Sequence, residues 1–441
     1  MLSRIKKIIP SILLNQYHKI IAIIANFIYG QPSKKMIVIG VTGTNGKSTT
    51  VSLISKILEE AGYRVGAAST VLFKVAEKEW LNDKKMTMLG RFQLQKLLQQ
   101  MLHANCNYAI IETSSQGIEQ FRHLGIHYDI CVFTNLTPEH IEAHGGFDNY
   151  KKAKLKLFKH LENLPTKVLT GKKISKIIIV NNDDKHAKDF LNFNVDKKIS
   201  FGINQIAQIN AEAINFNETG INFKVDTVDF NLNIFGKFNV YNALAAIAVA
   251  KSQNISLAIC RQALTKVTGV PGRMEFINVG QPFKVLIDYA PEPESMRQLF
   301  QAIKDHGFVS SQNKIIHVFG SCGGGRDVAR RPILGELSAQ NAQIHIITNE
   351  DPYDDDPQQI INQVAEGVIK AGKKENQEVF KILNRREAIR QAIKLAQAGD
   401  LILLTGKGAE QAICIAEGKK EFWDEREVVK DELANFGYKN N

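Results

Sequence analysis

From residue 36 onward the chain alternates short, unbroken apolar runs with longer segments in which apolar residues return every three or four positions. The runs at 37–41, 108–111, 130–133 and 177–180 have the length and continuity of strands buried on both faces of a parallel sheet, and the segments between them read as helices. Between 200 and 235 the pattern changes. There 201–202, 213–216, 221–225 and 228–234 read as short strands joined by Asn- and Gly-containing turns, an antiparallel meander. A helix over 240–250 restores the first pattern, and Gly269, Pro271 and Gly272 then mark a hinge at 268–272. Beyond it, strands at 285–288, 315–319, 344–348, 380–383 and 401–404 alternate with helical segments and predict a second, mostly parallel sheet.

Length agrees with this division, because 441 residues exceed one ordinary core. Apolar content of 44% and charged content of 23% are those of a globular chain. The net charge of +11 is unevenly spread: Arg4, Lys6, Lys7, Lys19, Lys34 and Lys35 supply six of the eleven, and residues 1–35 hold no acid. The remainder has no arginine-rich stripe with interleaved aromatics, so nucleic acid is not expected as a partner. Five scattered cysteines without ligand spacing argue against a disulfide framework and a zinc site, and favour the cytoplasm.

Residues 1–35 form a basic, apolar arm. Asn15, Gln16, His18, Lys19 and Asn26 interrupt its isoleucines and leucines, so no spanning helix is expected, and no small-residue cleavage site marks a signal peptide. Two readings stay open: a helix packed on the body, or an interfacial helix resting on the inner face of an anionic membrane.

The strongest chemical signal is the strand at 37–40 running into Val41-Thr42-Gly43-Thr44-Asn45-Gly46-Lys47-Ser48-Thr49 and then a helix. A Gly-rich turn between strand and helix aims backbone N–H groups and the helix dipole at phosphates. Lys47 then reaches the β/γ oxygens and Ser48 holds Mg²⁺. The strict eight-residue pattern needs Gly where Val41 stands.

This loop resembles that of the Mur ligases and folylpolyglutamate synthetases, and further matches follow in order. Glu112-Thr113-Ser114-Ser115 resembles the family's acidic segment. Asn135 and His140, within Thr134-Asn135-Leu136-Thr137-Pro138-Glu139-His140, resemble the residues serving nucleotide and metal. Lys154 falls where the family carries a carbamylated lysine; Asn242 lies near the adenine segment, Arg273 in the linker motif and Arg326 in a C-terminal Gly-rich loop. In Asp288-Tyr289-Ala290-Pro291-Glu292, Pro291 and Glu292 replace the usual His-Thr pair.

The resemblance implies an α/β protein with a central P-loop NTPase-like parallel-sheet domain (36–268) and a C-terminal Rossmann-like domain (269–441). It implies ATP and Mg²⁺, with Gly43, Thr44, Asn45, Gly46, Lys47, Ser48, Thr49, Asn135, Asn242, Arg273 and Arg326 at the nucleotide. Ser48, Glu112, His140 and carbamylated Lys154 hold the metal; Lys47, His140 and Lys154 are the catalytic set. Within the family the match is best to the MurE type, the UDP-N-acetylmuramoyl-tripeptide synthetases. That points to Thr87, Ser114, Ser115 and Arg122 for a muramoyl-peptide donor, and Asp351, Tyr353, Gly406 and Glu410 for an amino-acid acceptor.

The implied reaction is ATP-dependent amide formation through an acyl phosphate, by a monomer, in peptidoglycan precursor synthesis. Two departures bear on the substrates. The resemblance begins after the arm, without the family's N-terminal uridine-binding domain, so polyglutamate, cyanophycin-like and lipid-linked muramoyl donors stay open. Glu350-Asp351-Pro352-Tyr353, followed by Asp354, Asp355 and Asp356, lacks the arginine that reads diaminopimelate, so a cationic acceptor such as lysine is expected. A rival of another class is a P-loop NTPase switch.

Overall fold

The structure is a computed structural model that describes residues 11–138 and 141–439. Its larger sheet has nine strands: β1 Ile37–Thr42, β2 Val65–Ala68, β3 Leu72–Val75, β4 Lys78–Leu81, β5 Tyr108–Glu112, β6 Ile130–Phe133, β9 Ile177–Asn181, β10 Lys197–Gly202 and β11 Ile209–Asn210. A small hairpin, β7 Lys167–Leu169 and β8 Lys172–Ile174, lies outside it. The strand order is β11-β10-β9-β6-β1-β5-β2-β3-β4, parallel except that β3 and β4 fold back as an antiparallel edge. Strand β1 runs between β5 and β6, so the turns after all three meet at one sheet end, where open α/β sheets bind ligands. The core strands are buried on both faces, which is why their sequences are continuously apolar.

An arm helix, α1 (Ser11–Ile28), precedes the sheet. The helix α2 (Lys47–Glu60) leaves the loop after β1, and α3 (Arg91–His103) and α4 (Phe147–Asn163) cover the sheet. The helix α5 (Phe238–Ser252) is buried around most of its circumference, as a helix apolar on every side must be, and packs against α2 and β10.

Strands β12 (Glu212–Asn217), β13 (Gly220–Val225) and β14 (Val228–Leu232) form the antiparallel meander. Phe201 and Gly202 do not belong to it: they end β10, paired in parallel with β9, because fully buried Phe201 fills the core beneath α5. Six strands build the second sheet: β15 Glu275–Ile277, β16 Lys284–Ile287, β17 Ile315–Phe319, β18 Ile344–Thr348, β19 Val379–Ile382 and β20 Leu401–Leu404. Their order is β15-β16-β20-β17-β18-β19, with only β15 antiparallel. The hinge segment ends at Gly272, whose φ of +63° and contact with the 408–409 backbone leave no room for a Cβ.

On α1, Ala22 and Ala25 are buried against α3 and the turn Arg122–Gly125, and Arg91 Nε donates to His18 O at 3.1 Å. Its other side exposes Leu13, Tyr17, Ile20, Ile23, Ile24, Phe27 and Ile28. One face therefore packs on the body while the other stays open. Among the described residues no helix is long and apolar enough to cross a membrane.

Candidate functional site

The turn after β1 is held from below. Asn45 N donates to Asn135 Oδ1 at 2.9 Å, Thr134 Oγ1 donates to Asn45 O at 2.7 Å, and Thr44 N donates to Asn135 O at 2.9 Å. Gly43 passes so close to Thr134 that a Cβ would lie 1.9 Å from its hydroxyl; a Cβ on Gly46 would lie 2.2 Å from Asn242 Oδ1. These glycines are required by close approach as well as by phosphate access. Lys47 opens α2 and its Nζ donates to Thr44 O at 2.7 Å, curling over the loop where the terminal phosphates of a nucleotide belong.

Ser48 Oγ donates to Glu112 Oε2 at 2.7 Å, joining the start of α2 to the end of β5. Glu112 is buried, with Thr70 N 2.8 Å from Oε2 and Thr70 Oγ1 2.9 Å from Oε1; Thr87 Oγ1 lies 3.0 Å from Thr70 Oγ1. A hydroxyl beside a fixed carboxylate is a hard-oxygen pair of the kind Mg²⁺ requires. Lys154, on α4, is also buried: its Nζ donates to Gly43 O at 2.7 Å and sits 4.4 Å from the centre of the Tyr150 ring. The Tyr150 hydroxyl lies 3.1 Å from Thr44 Oγ1. His140 falls outside the described residues.

A cavity of about 670 Å³ opens over this loop and reaches the second sheet. The walls from the first sheet include Gly43 to Thr49, Thr87, Glu112, Ser114, Ser115, Arg122, Asn135, Lys154 and Asn242. Arg273, Arg326 and Tyr353 line the opposite side. Ser114 caps the short helix Ser115–Glu119, Ser115 Oγ stands 3.1 Å from His144 Nε2, and Arg122 turns its guanidinium to Gln120 and to Met88 O. Arg273 stacks on Tyr289 at 4.6 Å. Asp288 serves the backbone, accepting from Met274 N and Ala290 N at 2.8 and 2.9 Å beside the hinge.

Three expected acceptor residues are not on the cavity wall. Gly406 lies behind it, with Glu350 where its Cβ would be. Asp351 and Glu410 are covered by Lys85, which does line the cavity. The acids after Tyr353 are also engaged elsewhere: Asp354 accepts from Glu417 N, Asp355 pairs with Arg331, and Asp356 caps the helix Pro357–Lys370. None of the three lines the cavity, so the acidic field expected at the acceptor is not on its wall.

Several residues escaped the sequence reading. Thr70 fixes Glu112 and Tyr150 floors Lys154; Glu292, already noted in place of the usual pair, has Arg330 as a partner that the sequence did not show. Lys85 joins the two sheets through Asp351 and Glu410, 2.9 Å from Glu410 Oε2. Burial works against its charge, but Glu410 and Asp351 outweigh that and hold its ammonium well above the ordinary lysine range.

A glycine-rich strand-to-helix turn on one sheet faces Arg273 and Arg326 of the other across one cavity, and the family matches of the two α/β units give the class, an ATP-dependent ligase. Residues 41–250 match the family described as Mur ligase middle domain, and residues 272–408 match Mur ligase, glutamate ligase domain. The chain belongs to the Mur ligase family. It is 37% identical over 438 residues to a UDP-N-acetylmuramyl-tripeptide synthetase of Roseiflexus sp. (strain RS-1), covering 98% of this chain and 85% of that one. It is 37% identical over 415 residues to the UDP-N-acetylmuramoyl-L-alanyl-D-glutamate--2,6-diaminopimelate ligase of Caldanaerobacter subterraneus subsp. tengcongensis, covering 93% and 81%. A solved structure of another ligase of the latter name superposes with a TM-score of 0.59 at 28% identity, over 91% of this chain and 79% of that one.

Proposed function

We propose that this ligase joins the amine of an amino acid to the free carboxylate of a UDP-N-acetylmuramoyl-dipeptide-like donor during peptidoglycan precursor synthesis, working as a monomer with units at 36–268 and 269–441. The observation that carries this is one cavity walled by Gly43 to Thr49 on one side and by Arg273, Arg326 and Tyr353 on the other. Ser48, Glu112 and His140, with Lys154 as its carbamate, would hold Mg²⁺, which would supply positive charge to offset that on the transferring phosphoryl group.

The rest is the work of the chain. Backbone N–H groups of 43–48 and the dipole of α2 seat the phosphates, and Asn135, Asn242, Arg273 and Arg326 position the nucleotide. Thr87, Ser114, Ser115 and Arg122 hold the donor so that its carboxylate oxygen attacks the γ-phosphorus; the bond to the β–γ bridging oxygen breaks and ADP leaves. Lys47 stabilises the charge that develops there. The neutral amine, held on the side of the cavity that Tyr353 lines, with Asp351, Gly406 and Glu410 behind that wall, attacks the acyl carbon, phosphate departs and the extra amine proton passes to solvent. Closure about the hinge keeps water from the acyl phosphate.

The open face of α1 and the acid-free arm support contact with an anionic membrane on its cytoplasmic side. That face also favours a second reading in which the donor is lipid-linked. Mass spectrometry of products from nucleotide-linked and lipid-linked muramoyl dipeptides, each with ATP and amino acids, decides between them. ADP release without any amine, at the same rate as with one, rejects both.

A further inference from the structure

Asp351 is buried and Glu410 half-buried, and among the described residues Lys407 is the cation of their own unit that pairs with both. Lys407 Nζ lies 3.0 Å from Asp351 Oδ1 and 3.2 Å from Glu410 Oε2, and it donates to Ala412 O at 2.8 Å. Cys414 N donates to Asp351 Oδ1 at 2.7 Å. Glu350, whose carboxylate lies within 4.8 Å of that of Asp351, faces Arg330, and these two charges offset each other; the remaining two acids and Lys407 sum to a net charge of about −1, a seat for one more cation. The cation that fills it comes from the other sheet: Lys85 Nζ contacts Asp351 Oδ2 and lies 2.9 Å from Glu410 Oε2.

The turn carrying Lys85 is shaped for this delivery. Asn82 is buried; its Nδ2 donates to Ser69 O at 2.7 Å and Met86 O at 3.0 Å, and its Oδ1 accepts from Lys84 N at 2.9 Å. Lys85 itself sits at φ +55°, a backbone conformation that costs a side-chain-bearing residue free energy. From the far side, Lys420 Nζ donates to Lys84 O at 3.0 Å. Lys85 lines the cavity and contacts both acids, neither of which lines it, so this side chain stands between the cavity and Asp351 and Glu410. A lysine suits that task, being a compact charge on a flexible four-carbon stem.

We infer that Lys85 is an internal stand-in for the side-chain ammonium of the acceptor, closing the two domains when the seat is empty and giving way when a diamino acid binds. The inference rests on the ligase reading above and names a residue that sets its acceptor specificity. While Lys85 holds the seat, the apparent affinity for a cationic acceptor falls by the fraction of time the seat is free; an occupancy of about nine-tenths weakens it about tenfold.

The test compares lysine with norleucine, which has no side-chain amine, in acceptor-dependent ADP release by wild-type, Lys85→Met, Lys85→Gln and Lys85→Arg proteins. Lys85→Met and Lys85→Gln are expected to lower KM for lysine about tenfold while leaving that for norleucine within about twofold; Lys85→Arg keeps the seat filled and retains the wild-type values. An unchanged or raised KM for lysine in both neutral variants overturns the inference. So does a parallel change for the two acceptors, which would make Lys85 only a domain clamp. Failure of the wild-type protein to release ADP in response to any amine is a different result: the ligase reading fails and takes this inference with it.

Discussion

Ser48 Oγ and Glu112 Oε2 are 2.7 Å apart, a bond that ties the first turn of the phosphate-loop helix to the end of the neighbouring strand. Thr70 donates to both oxygens of that carboxylate, so the pair is held before any ligand arrives. Preorganised oxygens and a lysine aimed at one phosphate act on the transition state more than on the fold. Lys47→Ala and Glu112→Gln are each expected to lower kcat by about 10²-fold or more with little change in Tm. A variant keeping more than about a tenth of kcat removes that residue from the machinery.

Lys154 is buried against the Gly43 carbonyl and the Tyr150 ring, so its substitution leaves a space beside the loop. If the lysine works as a carbamate, Lys154→Ala is inactive, and a short carboxylic acid that occupies the space restores part of the activity. Bicarbonate depletion should also slow the wild-type protein but not the acid-rescued variant. Rescue by a short alkylamine rather than by an acid would assign the role to an ammonium.

The loop at 43–48 was legible because backbone chemistry dictates it: the glycines, the lysine and the hydroxyl are fixed by their spacing. Strands such as Ile130–Phe133 and Ile315–Phe319 were legible because burial on both faces makes them continuous apolar runs. Phe201 was misplaced because the end of a strand in a large sheet and a meander strand look alike over two residues. Lys85 was invisible for a different reason. Its partner Asp351 is 266 residues away, and neither residue type signals a pair that only domain packing creates. Asp354, Asp355 and Asp356 misled the reading because a run of acids does not reveal that each is already bound.

Buried histidines set the acid limit of stability. His345 lies on β18 with its Nδ1 2.8 Å from Ser338 Oγ, facing Lys373 and Glu378; burial, then Lys373, pulls its pKa from 6.5 to about 4. Burial likewise pulls His127 to about 4. Because the folded pKa lies below the unfolded one, the stabilisation is fully present above pH about 6.5 and is lost as pH falls from there toward about 4. Urea midpoints should therefore drop between pH 7.5 and pH 5, with a shallower drop for His345→Gln. Equal midpoints at the two pH values would contradict this.

For the arm, liposome co-sedimentation should be stronger with anionic than with neutral vesicles and should weaken as salt rises, since each basic residue near anionic lipid contributes about 1 kcal/mol. A chain starting at Lys34 should lose it. Because that truncation also uncovers α3, a full-length Ile20→Ser/Ile24→Ser/Phe27→Ser variant provides the cleaner comparison: these side chains are exposed, whereas Ala22 and Ala25, which make the packed face, stay in place. Undiminished binding by the triple variant would place the contact elsewhere.

The acceptor is expected to be lysine or ornithine rather than meso-diaminopimelate. In diaminopimelate-adding ligases of the MurE type an arginine in this loop meets the distal carboxylate; here the position is Tyr353, at φ +55°, its ring against Gly324 and its N–H donating to Cys414 O at 3.1 Å. A tyrosine offers one hydroxyl in place of a bidentate guanidinium. The acids of 354–356 do not line the cavity, so the expected preference for a cation rests on Asp351 and Glu410, which with Lys407 sum to a net charge of about −1 and, on the inference above, take one ammonium. Lysine and ornithine supply that ammonium alone. Diaminopimelate supplies it with a carboxylate attached, brought toward Asp351 and Glu410 at a cost of roughly 2–5 kcal/mol where its own cation is not replaced. The measurement is kcat/KM for the three amines with one donor. Lysine or ornithine should lead by at least about tenfold; diaminopimelate in first place would mean that Arg326, which lines the same cavity beside Tyr353, takes the missing arginine's part.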